Sequence, residues 1–262
     1  MAKSYALPYA VRGLGIKGGI SHLSSVVFGD ARFNRPSSSV DMRRSNLKFC
    51  LTSRDLIIEA FPKATLKEID LVLVEAQREV KRALKNEQQK SDFPSYWDSG
   101  QDLQVFLYSS IRLARPKYVI ETGTANGKST SAICAALLKN RYGHLWSFDV
   151  LNSEAPYVTK LQRKHLTLVK YDGKGSTLRN EIRKIIESDD CKIFFHDSDH
   201  SYPNQFSDYR IASDFGFDLL ISDDVDASMA FCDFANSAGS VALDSSKFIG
   251  FVSNPAEVYR KL

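Results

Sequence analysis

The chain has 262 residues, of which 43% are hydrophobic and 25% are charged, and its formal net charge is +4. This composition is ordinary for a globular protein, and so small a net charge does not indicate nucleic acid as a partner. No apolar run approaches the roughly 18 residues that a transmembrane helix requires, so no membrane partner is expected. The four cysteines lie too far apart to indicate a zinc site or a disulfide scaffold.

Residues 1–46 are rich in Gly, Ser and Arg and show no sustained hydrophobic period. We therefore expect a flexible, loop-rich N-terminal arm. The arm lacks the apolar core of a signal peptide, so we expect a cytoplasmic protein. A transit peptide is the alternative, because residues 1–29 hold no acidic residue, three basic residues and several serines.

Residues 47–115 are predicted to form a helical cap. We expect a short helix over 53–61, a long amphipathic helix over 65–90 and a third helix over about 100–114. The long helix is predicted from apolar residues at helical spacing, which are Leu66, Ile69, Val72, Leu73, Ala76, Val80, Ala83 and Leu84. Pro116 ends the third helix.

Residues 116–262 change character, because apolar strands now alternate with helices. Strands are expected at 117–121, 144–149, 166–171, 192–196, 217–222, 240–244 and 247–253, and helices at 129–140, about 156–163, 176–188, about 203–213 and 226–237. Strict alternation predicts an α/β fold with a mostly parallel sheet and helices on both faces. The last two strands are predicted to supply an antiparallel partner.

Residues 120–129 read I-E-T-G-T-A-N-G-K-S and follow a short apolar run. This pattern predicts a strand, a tight turn at Gly123 and Gly127, and the start of a helix, which brings bare backbone close to a ligand. Dinucleotide-binding turns carry G-x-G-x-x-G, whose middle glycine admits a pyrophosphate. Here that position is Ala125, which argues against a nicotinamide cofactor.

An acidic residue closes almost every predicted strand. These residues are Glu121, Asp149, Asp172, Asp197, Asp223 and Asp224. The carboxyl ends of parallel strands meet at one edge of a sheet, where open α/β sheets bind ligands. A single such Asp could simply cap the next helix, but the regular series predicts one acidic crevice. Asp149 is placed where an acid would accept hydrogen bonds from both hydroxyls of a ribose.

The pattern E-x-G-x-x-x-G resembles the first motif of class I S-adenosylmethionine-dependent methyltransferases, over about residues 100–253. The resemblance implies a Rossmann-like, doubly wound sheet of seven strands with an antiparallel seventh strand. It also implies that Asp172 and Gly173 lie beside the adenine and that Glu121 supports the turn or the amino group of the cofactor. The implied cofactor-binding residues are Glu121, Thr122, Gly123, Thr124, Asn126, Gly127, Ser129, Asp149, Asp172, Gly173 and Asp197.

The fourth and fifth strand ends read H-D-S-D-H-S-Y from His196 and S-D-D from Ser222. Three carboxylates there would suit a hard cation such as Mg²⁺, and His200 could act as a general base. The two segments resemble the metal-dependent O-methyltransferases of macrolide sugars and the related cephalosporin-hydroxylase-like proteins. The resemblance implies metal on Asp197, Asp223 and Asp224, with His200 as the catalytic base.

One departure from that pattern is the Asp-Asp pair, because the family often has Glu-Asp. His200 could instead serve only to orient Asp197, and His196 is expected to pack at the strand end. Asp199 and Asp226 are spare acids, expected as caps or supporting partners. Tyr96, Trp97 and the N-terminal arm are candidates for a lid over the acceptor.

The sequence therefore predicts methyl transfer from S-adenosylmethionine to a hydroxyl of a sugar or other small natural product, assisted by Mg²⁺. A metal-independent O- or N-methyltransferase on the same fold is the first alternative. A nucleotide-sugar or nicotinamide enzyme and a non-enzymatic partner subunit are the others. A homo-oligomer would fit the fold, but the sequence does not determine the oligomeric state.

Overall fold

The computed structural model describes residues 47–84, 93–235, 239–243 and 248–256, and the predicted arm lies outside them. The elements in chain order are β1 (Lys48–Cys50), α1 (Ser53–Ala60), α2 (Leu66–Leu84), α3 (Gln101–Ala114), β2 (Tyr118–Thr122), α4 (Lys128–Asn140), β3 (His144–Asp149), β4 (Leu166–Lys170), α5 (Gly175–Ile185), β5 (Lys192–His196), α6 (Tyr202–Asp214), β6 (Leu219–Ser222), α7 (Ala230–Ala235), β7 (Gly239–Leu243) and β8 (Phe248–Ser253). Short 3₁₀ helices span Ser95–Trp97 and Gln162–His165.

The strands form one sheet in the order β1-β7-β8-β6-β5-β2-β3-β4. All neighbours are parallel except β8, which runs antiparallel to β6 and β7. The mostly parallel sheet and its antiparallel strand are therefore confirmed. The described residues contain eight strands rather than the seven expected, because β1 pairs with β7 at the edge. Three residues are too few to show a period in the sequence.

Helices cover both faces of the sheet, and alternate strand residues point to each face. Val119 packs in a core with α1, α2, α3 and α4. The next residue, Ile120, packs in a second core with α5, α6 and α7. The central strands are therefore buried on both sides, which explains why they are almost continuously apolar in sequence. The predicted doubly wound architecture is confirmed.

Residues 47–115 contribute both a strand and helices to this architecture. Helix α2 begins with a reciprocal cap, in which the Thr65 N–H donates to Glu68 Oε2 and the Glu68 N–H donates to Thr65 Oγ1. Its apolar stripe faces α3, and Glu75 accepts hydrogen bonds from Tyr108 and Arg112. The predicted C-terminal end of this helix, residues 85–90, lies outside the described residues.

Two helix predictions were wrong in extent. The segment expected as a helix over about 156–163 is mostly a loop, with a 3₁₀ turn at Gln162–His165. Just before it, Ala155 has φ +44°, which is not helical, and the Arg163 guanidinium donates to the carbonyls of Glu154 and Ala155. The helix expected over 226–237 spans only Ala230–Ala235 among the described residues, because Ser228 Oγ accepts from the Ala230 N–H and caps it late.

Candidate active site

The turn after β2 contains Gly123 and Gly127 and is called the glycine turn below. It leaves almost no space for side chains at these two positions. Gly123 has φ +92°, and a Cβ there would lie 1.9 Å from the backbone oxygen of Asp197. Gly127 has φ +82° and begins α4, and a Cβ there would lie 2.7 Å from Ala155 Cβ. Both positions therefore require glycine for conformation and for space. The close approach also fixes the turn against the carboxyl end of β5.

Glu121 lies under this turn and is completely buried. Its carboxyl group accepts hydrogen bonds from Ser129 Oγ at 2.8 Å, Thr130 Oγ1 at 2.8 Å and Ser147 Oγ at 2.5 Å. Burial raises the pKa of Glu121 to about 7, against the lowering effect of the three hydroxyls. These contacts join β2, β3 and the first turn of α4. Glu121 therefore supports the turn from below.

Asp149 ends β3 and is bound to the outside of the same turn. Its Oδ2 accepts from the N–H groups of Thr124 at 2.9 Å and Ala125 at 3.0 Å. Its Oδ1 accepts from the Leu151 N–H at 2.8 Å. Oδ2 therefore already has two donors, whereas Oδ1 keeps one lone-pair site for a further donor. A crevice of about 160 Å³ opens beside Asp149, between the turn and the end of β4 at Lys170.

Asn126 lies within the turn, but its side chain faces the protein. Its Nδ2 donates to the Phe93 carbonyl at 3.2 Å and to Asp98 Oδ1 at 2.8 Å, while its Oδ1 accepts from the Phe93 N–H at 3.2 Å. Asp98 Oδ2 also lies 3.1 Å from Lys128 Nζ. The sequence analysis missed Asp98 and Lys128, because a single Asp in a polar loop carries no periodic signal.

Asp172 and Gly173 form the turn after β4, at the edge of the sheet. The Asp172 carboxylate accepts from the Lys174 N–H and pairs with Lys174 Nζ at 3.0 Å. Contacts with Lys174 and Thr177 lower the pKa of Asp172 to about 2. Gly173 has φ +78°, and a Cβ there would lie 3.1 Å from Val150 Cγ1. The turn thus lies alongside the end of β3, next to Asp149.

The ends of β5 and β6 bring a histidine between two acids. His200 Nε2 lies 3.8 Å from Asp197 Oδ1, and His200 Nδ1 lies 3.5 Å from Asp224 Oδ2. The His200 side chain is 22% exposed, so it lies outside the core. Asp224 has φ +46°, a strained conformation for a residue other than glycine that is common at functional sites. Asp223, beside it, is completely buried.

The three acids predicted to hold magnesium do not form a preformed cation site. Among the described residues, no group of three His, Cys, Asp or Glu side chains is arranged to hold a metal ion. The imidazole of His200 stands between Asp197 and Asp224, where a shared cation would have to lie. The side chains as arranged therefore fit an acid-flanked base better than a metal centre. The spare acid Asp199 accepts hydrogen bonds from the N–H and the hydroxyl of Ser201, the residue just before α6.

A buried polar layer lies beneath this site. His196 Nδ1 lies 2.9 Å from Asp208 Oδ2, and Thr122 Oγ1 donates to the same oxygen at 2.9 Å. All three residues are at most 2% exposed. The Thr122 side chain therefore points into the α6 face and away from the glycine turn. His196 does pack at the strand end, but its partner Asp208, on α6, was not recognised from the sequence.

Comparisons with known proteins agree with this geometry. The family model described as a methyltransferase domain matches residues 120–215. That stretch contains the glycine turn, Asp149 and His200, and it leaves out Asp98 and Asp224. A search of curated proteins found no match to the chain. No helix within the described ranges has the length and apolarity needed to span a bilayer.

Solved structures with a similar arrangement were also found. The O-methyltransferase from Bacillus cereus in complex with SAH is 16% identical, over 77% of this chain and 97% of that chain, with a TM-score of 0.47. TomG from Streptomyces achromogenes, an O-methyltransferase of tomaymycin synthesis in complex with SAM, is 15% identical over 68% and 87%, with a TM-score of 0.45. CalS11, a TDP-rhamnose 3'-O-methyltransferase of calicheamicin biosynthesis, is 14% identical over 69% and 93%, with a TM-score of 0.45. At these TM-scores, the likenesses carry no argument about the acceptor.

Proposed function

Since residues 120–215 match a methyltransferase domain, we propose that the chain uses S-adenosylmethionine to methylate a hydroxyl oxygen of a sugar or other small natural product. The observation that carries the proposal is the place of His200, between two carboxylates at the end of β5. That strand end is also where Gly123 contacts the Asp197 backbone. A base therefore lies beside the turn that would hold the cofactor.

Cofactor binding is assigned to the glycine turn and to the crevice beside Asp149. S-adenosylmethionine supplies an electrophilic methyl group when it is bound. The bare backbone of Gly123 and Gly127 admits a ligand close to the start of α4, whose N-cap residue has no capping side chain. Asp149 is assigned to the ribose, through the lone-pair site on Oδ1 that its three backbone donors leave free. The turn at Asp172 and Gly173 is assigned to the adenine.

His200 is assigned as the general base. A hydroxyl oxygen becomes a good nucleophile only as its proton leaves, so a base in hydrogen-bond reach accelerates the transfer. Asp197 and Asp224 flank the imidazole and would stabilise the positive charge that it gains. The protein must also align the acceptor oxygen with the methyl group, which a rigid crevice edge favours. An acid-flanked base favours a hydroxyl acceptor over an amine.

Magnesium assistance is a separate part of the proposal and has weaker support. The donor chemistry suits it, because Asp197, Asp223 and Asp224 are hard oxygen ligands at adjacent strand ends. The side-chain arrangement does not, as His200 occupies the space between two of these acids. No step of the transfer is therefore assigned to the cation. The arrangement favours a metal-independent O-methyltransferase as the second candidate function.

One experiment separates these candidates. Wild type and His200→Ala are supplied with S-adenosylmethionine carrying a deuterated methyl group and with a panel of nucleoside diphosphate sugars, glycosides, phenols and amines. Mass spectrometry then detects the labelled product, with and without excess chelator. We expect labelled hydroxyl acceptors and a roughly 10²–10⁴-fold lower rate for His200→Ala, as for other lost general bases.

The other outcomes are equally informative. A full rate in chelator would remove magnesium from the account and leave the metal-independent enzyme. A full rate for His200→Ala would reduce His200 to an orienting partner of Asp197. Labelling of amines alone would replace the hydroxyl acceptor with a nitrogen acceptor.

A further inference from the structure

The glycine turn is held from outside by a segment that the family match does not include. Residues 93–98 lie against the turn just before α3, upstream of the matched stretch that begins at residue 120. Asn126 makes three hydrogen bonds with this segment, two to the backbone of Phe93 and one to Asp98. The segment is also packed on itself, with the Phe93 and Trp97 rings 5.8 Å apart.

Asp98 is the centre of these contacts. Its two carboxylate oxygens take one partner on each side of Gly127, since Oδ1 accepts from Asn126 Nδ2 at 2.8 Å and Oδ2 lies 3.1 Å from Lys128 Nζ. The Asp98 side chain is only 7% exposed and that of Lys128 only 15%. An ion pair this deeply buried forfeits hydration on both partners. Because its two partners flank Gly127, the N-cap residue of α4, Asp98 acts on the glycine turn itself.

Lys128 extends the contact to a third segment. Its Nζ lies 4.9 Å from the centroid of the Tyr157 ring, and the Tyr157 N–H donates to the Asn126 carbonyl at 3.4 Å. The turn is thus fixed from below by Glu121 and from outside by residues 93–98 and Tyr157. Backbone groups that contact a ligand must be held in place before binding, because ordering them on binding lowers affinity.

We propose that Asp98 is a positioning residue for cofactor binding, which holds the glycine turn in its binding conformation through Asn126 and Lys128. The proposal rests on the proposed function, since it takes the turn as the site of S-adenosylmethionine. It adds a residue from outside the matched domain to the machinery of that site. Binding and the ordering of residues 93–98 are then coupled, and the coupling is reciprocal.

The test is a calorimetric titration with S-adenosylhomocysteine. Asp98→Ala should raise the Kd at least tenfold. Asp98→Asn, which keeps an acceptor for Asn126 and loses the charge toward Lys128, should raise it less. Glu75→Gln is the matched control, because it breaks the ion pair between Glu75 of α2 and Arg112 of α3, which lies away from the turn. The control should keep the Kd of wild type.

A second measurement covers the case in which Asp98→Ala does not fold. Hydrogen exchange of wild type should show that S-adenosylhomocysteine protects the amides of residues 93–98 together with those of the turn, and that Asp98→Asn weakens this joint protection. A wild-type Kd in a folded Asp98 variant, or protection of the turn alone, would overturn the proposal and leave Asp98 a structural residue. If wild type binds no S-adenosylhomocysteine, the proposed function fails as well.

Discussion

At the residue scale, the site depends on buried polar groups whose partners come from other elements. Glu121 is satisfied by hydroxyls of α4 and β3, and Nδ1 of His196 by a carboxylate of α6. Each such group would be costly if its partners were lost. Their effects on stability can be measured without knowledge of the acceptor.

Glu121 should make the protein less stable as the pH rises. Its pKa is about 7 in the folded protein and 4.5 in the reference state, so the folded state holds the proton more tightly. Its contribution is fully present below the unfolded pKa and is lost as the pH rises through 7. Between pH 5 and 8, wild type should lose about 2–3 kcal/mol relative to Glu121→Gln, at about 1.4 kcal/mol per unit of pKa shift.

Urea denaturation of both proteins across this pH range measures the difference. The exposed carboxylate Glu68, whose pKa is lowered by its bonds to Thr65, provides the control. Glu68→Gln should run parallel to wild type between pH 5 and 8. Parallel curves for Glu121→Gln as well would show that Glu121 is charged throughout.

Asp208 should be essential for stability because it accepts hydrogen bonds from two buried groups, His196 and Thr122. Asp208→Leu removes the acceptor that both groups share and leaves them only their mutual contact at 3.4 Å, so it should lower the free energy of unfolding by about 3 kcal/mol or more. Asp208→Asn keeps an acceptor oxygen and should cost about 1 kcal/mol. Asp214 lies on the same helix as Asp208, and Asp214→Asn, which breaks a partly exposed pair with Arg179 of α5, should cost less than about 1 kcal/mol.

Chemical denaturation of the three variants gives this ranking directly. If Asp208→Leu were no less stable than Asp214→Asn, the buried polar layer would contribute nothing to folding.

At the element scale, the strand, turn and helix around residues 120–129 carry the strictest steric demand. At Gly123 a methyl group would collide with the Asp197 backbone, so the turn and the end of β5 cannot both keep their places. At Gly216 the φ angle is also positive, but no atom lies within 4 Å of a new Cβ. Substituting alanine at Gly216 therefore measures the free-energy cost of the positive φ alone. The same substitution at Gly123 adds the cost of the steric clash.

Gly216→Ala should cost about 1 kcal/mol, the usual penalty for a left-handed alanine. Gly123→Ala should cost clearly more and should also abolish binding of S-adenosylhomocysteine, since the turn must move. Thermal denaturation and calorimetry measure the two effects. Equal costs for both substitutions, with binding retained, would mean that the turn relaxes freely and that its contact with Asp197 is not required.

Periodicity explains which elements could be predicted from the sequence. Helices α2 and α3 are long and amphipathic, and the central strands are almost continuously apolar. The start of α2, both ends of α3 and the central strands were therefore predicted within a few residues. The loop around Ala155 was wrongly predicted as a helix. Arg163 contacts carbonyls of this loop, and such contacts produce no hydrophobic period in the sequence. Strand β1 was missed because its three residues form a strand only by pairing with β7.

At the scale of the whole molecule, the strand order brings the candidate site residues together. Parallel strands end at one edge, so acids separated by about a hundred residues of sequence lie at the same edge of the sheet. Regular spacing of acids revealed that edge, and a resemblance to known motifs singled out His200. The contacts of Asp98 and Asp208 could not be predicted, because each joins elements that only the folded chain brings together.

The central claim is that the glycine turn binds S-adenosylmethionine and that Asp149 accepts a hydrogen bond from its ribose. Calorimetric titration of S-adenosylhomocysteine into wild type and Asp149→Ala tests it most directly. The variant loses a charge-assisted hydrogen bond to the ribose, worth about 1.5–3 kcal/mol, and also the carboxylate that holds the N–H groups of Thr124 and Ala125, so we expect binding to wild type and at least tenfold weaker binding to the variant. Equal affinity for the two proteins, or no binding to wild type, would contradict the account.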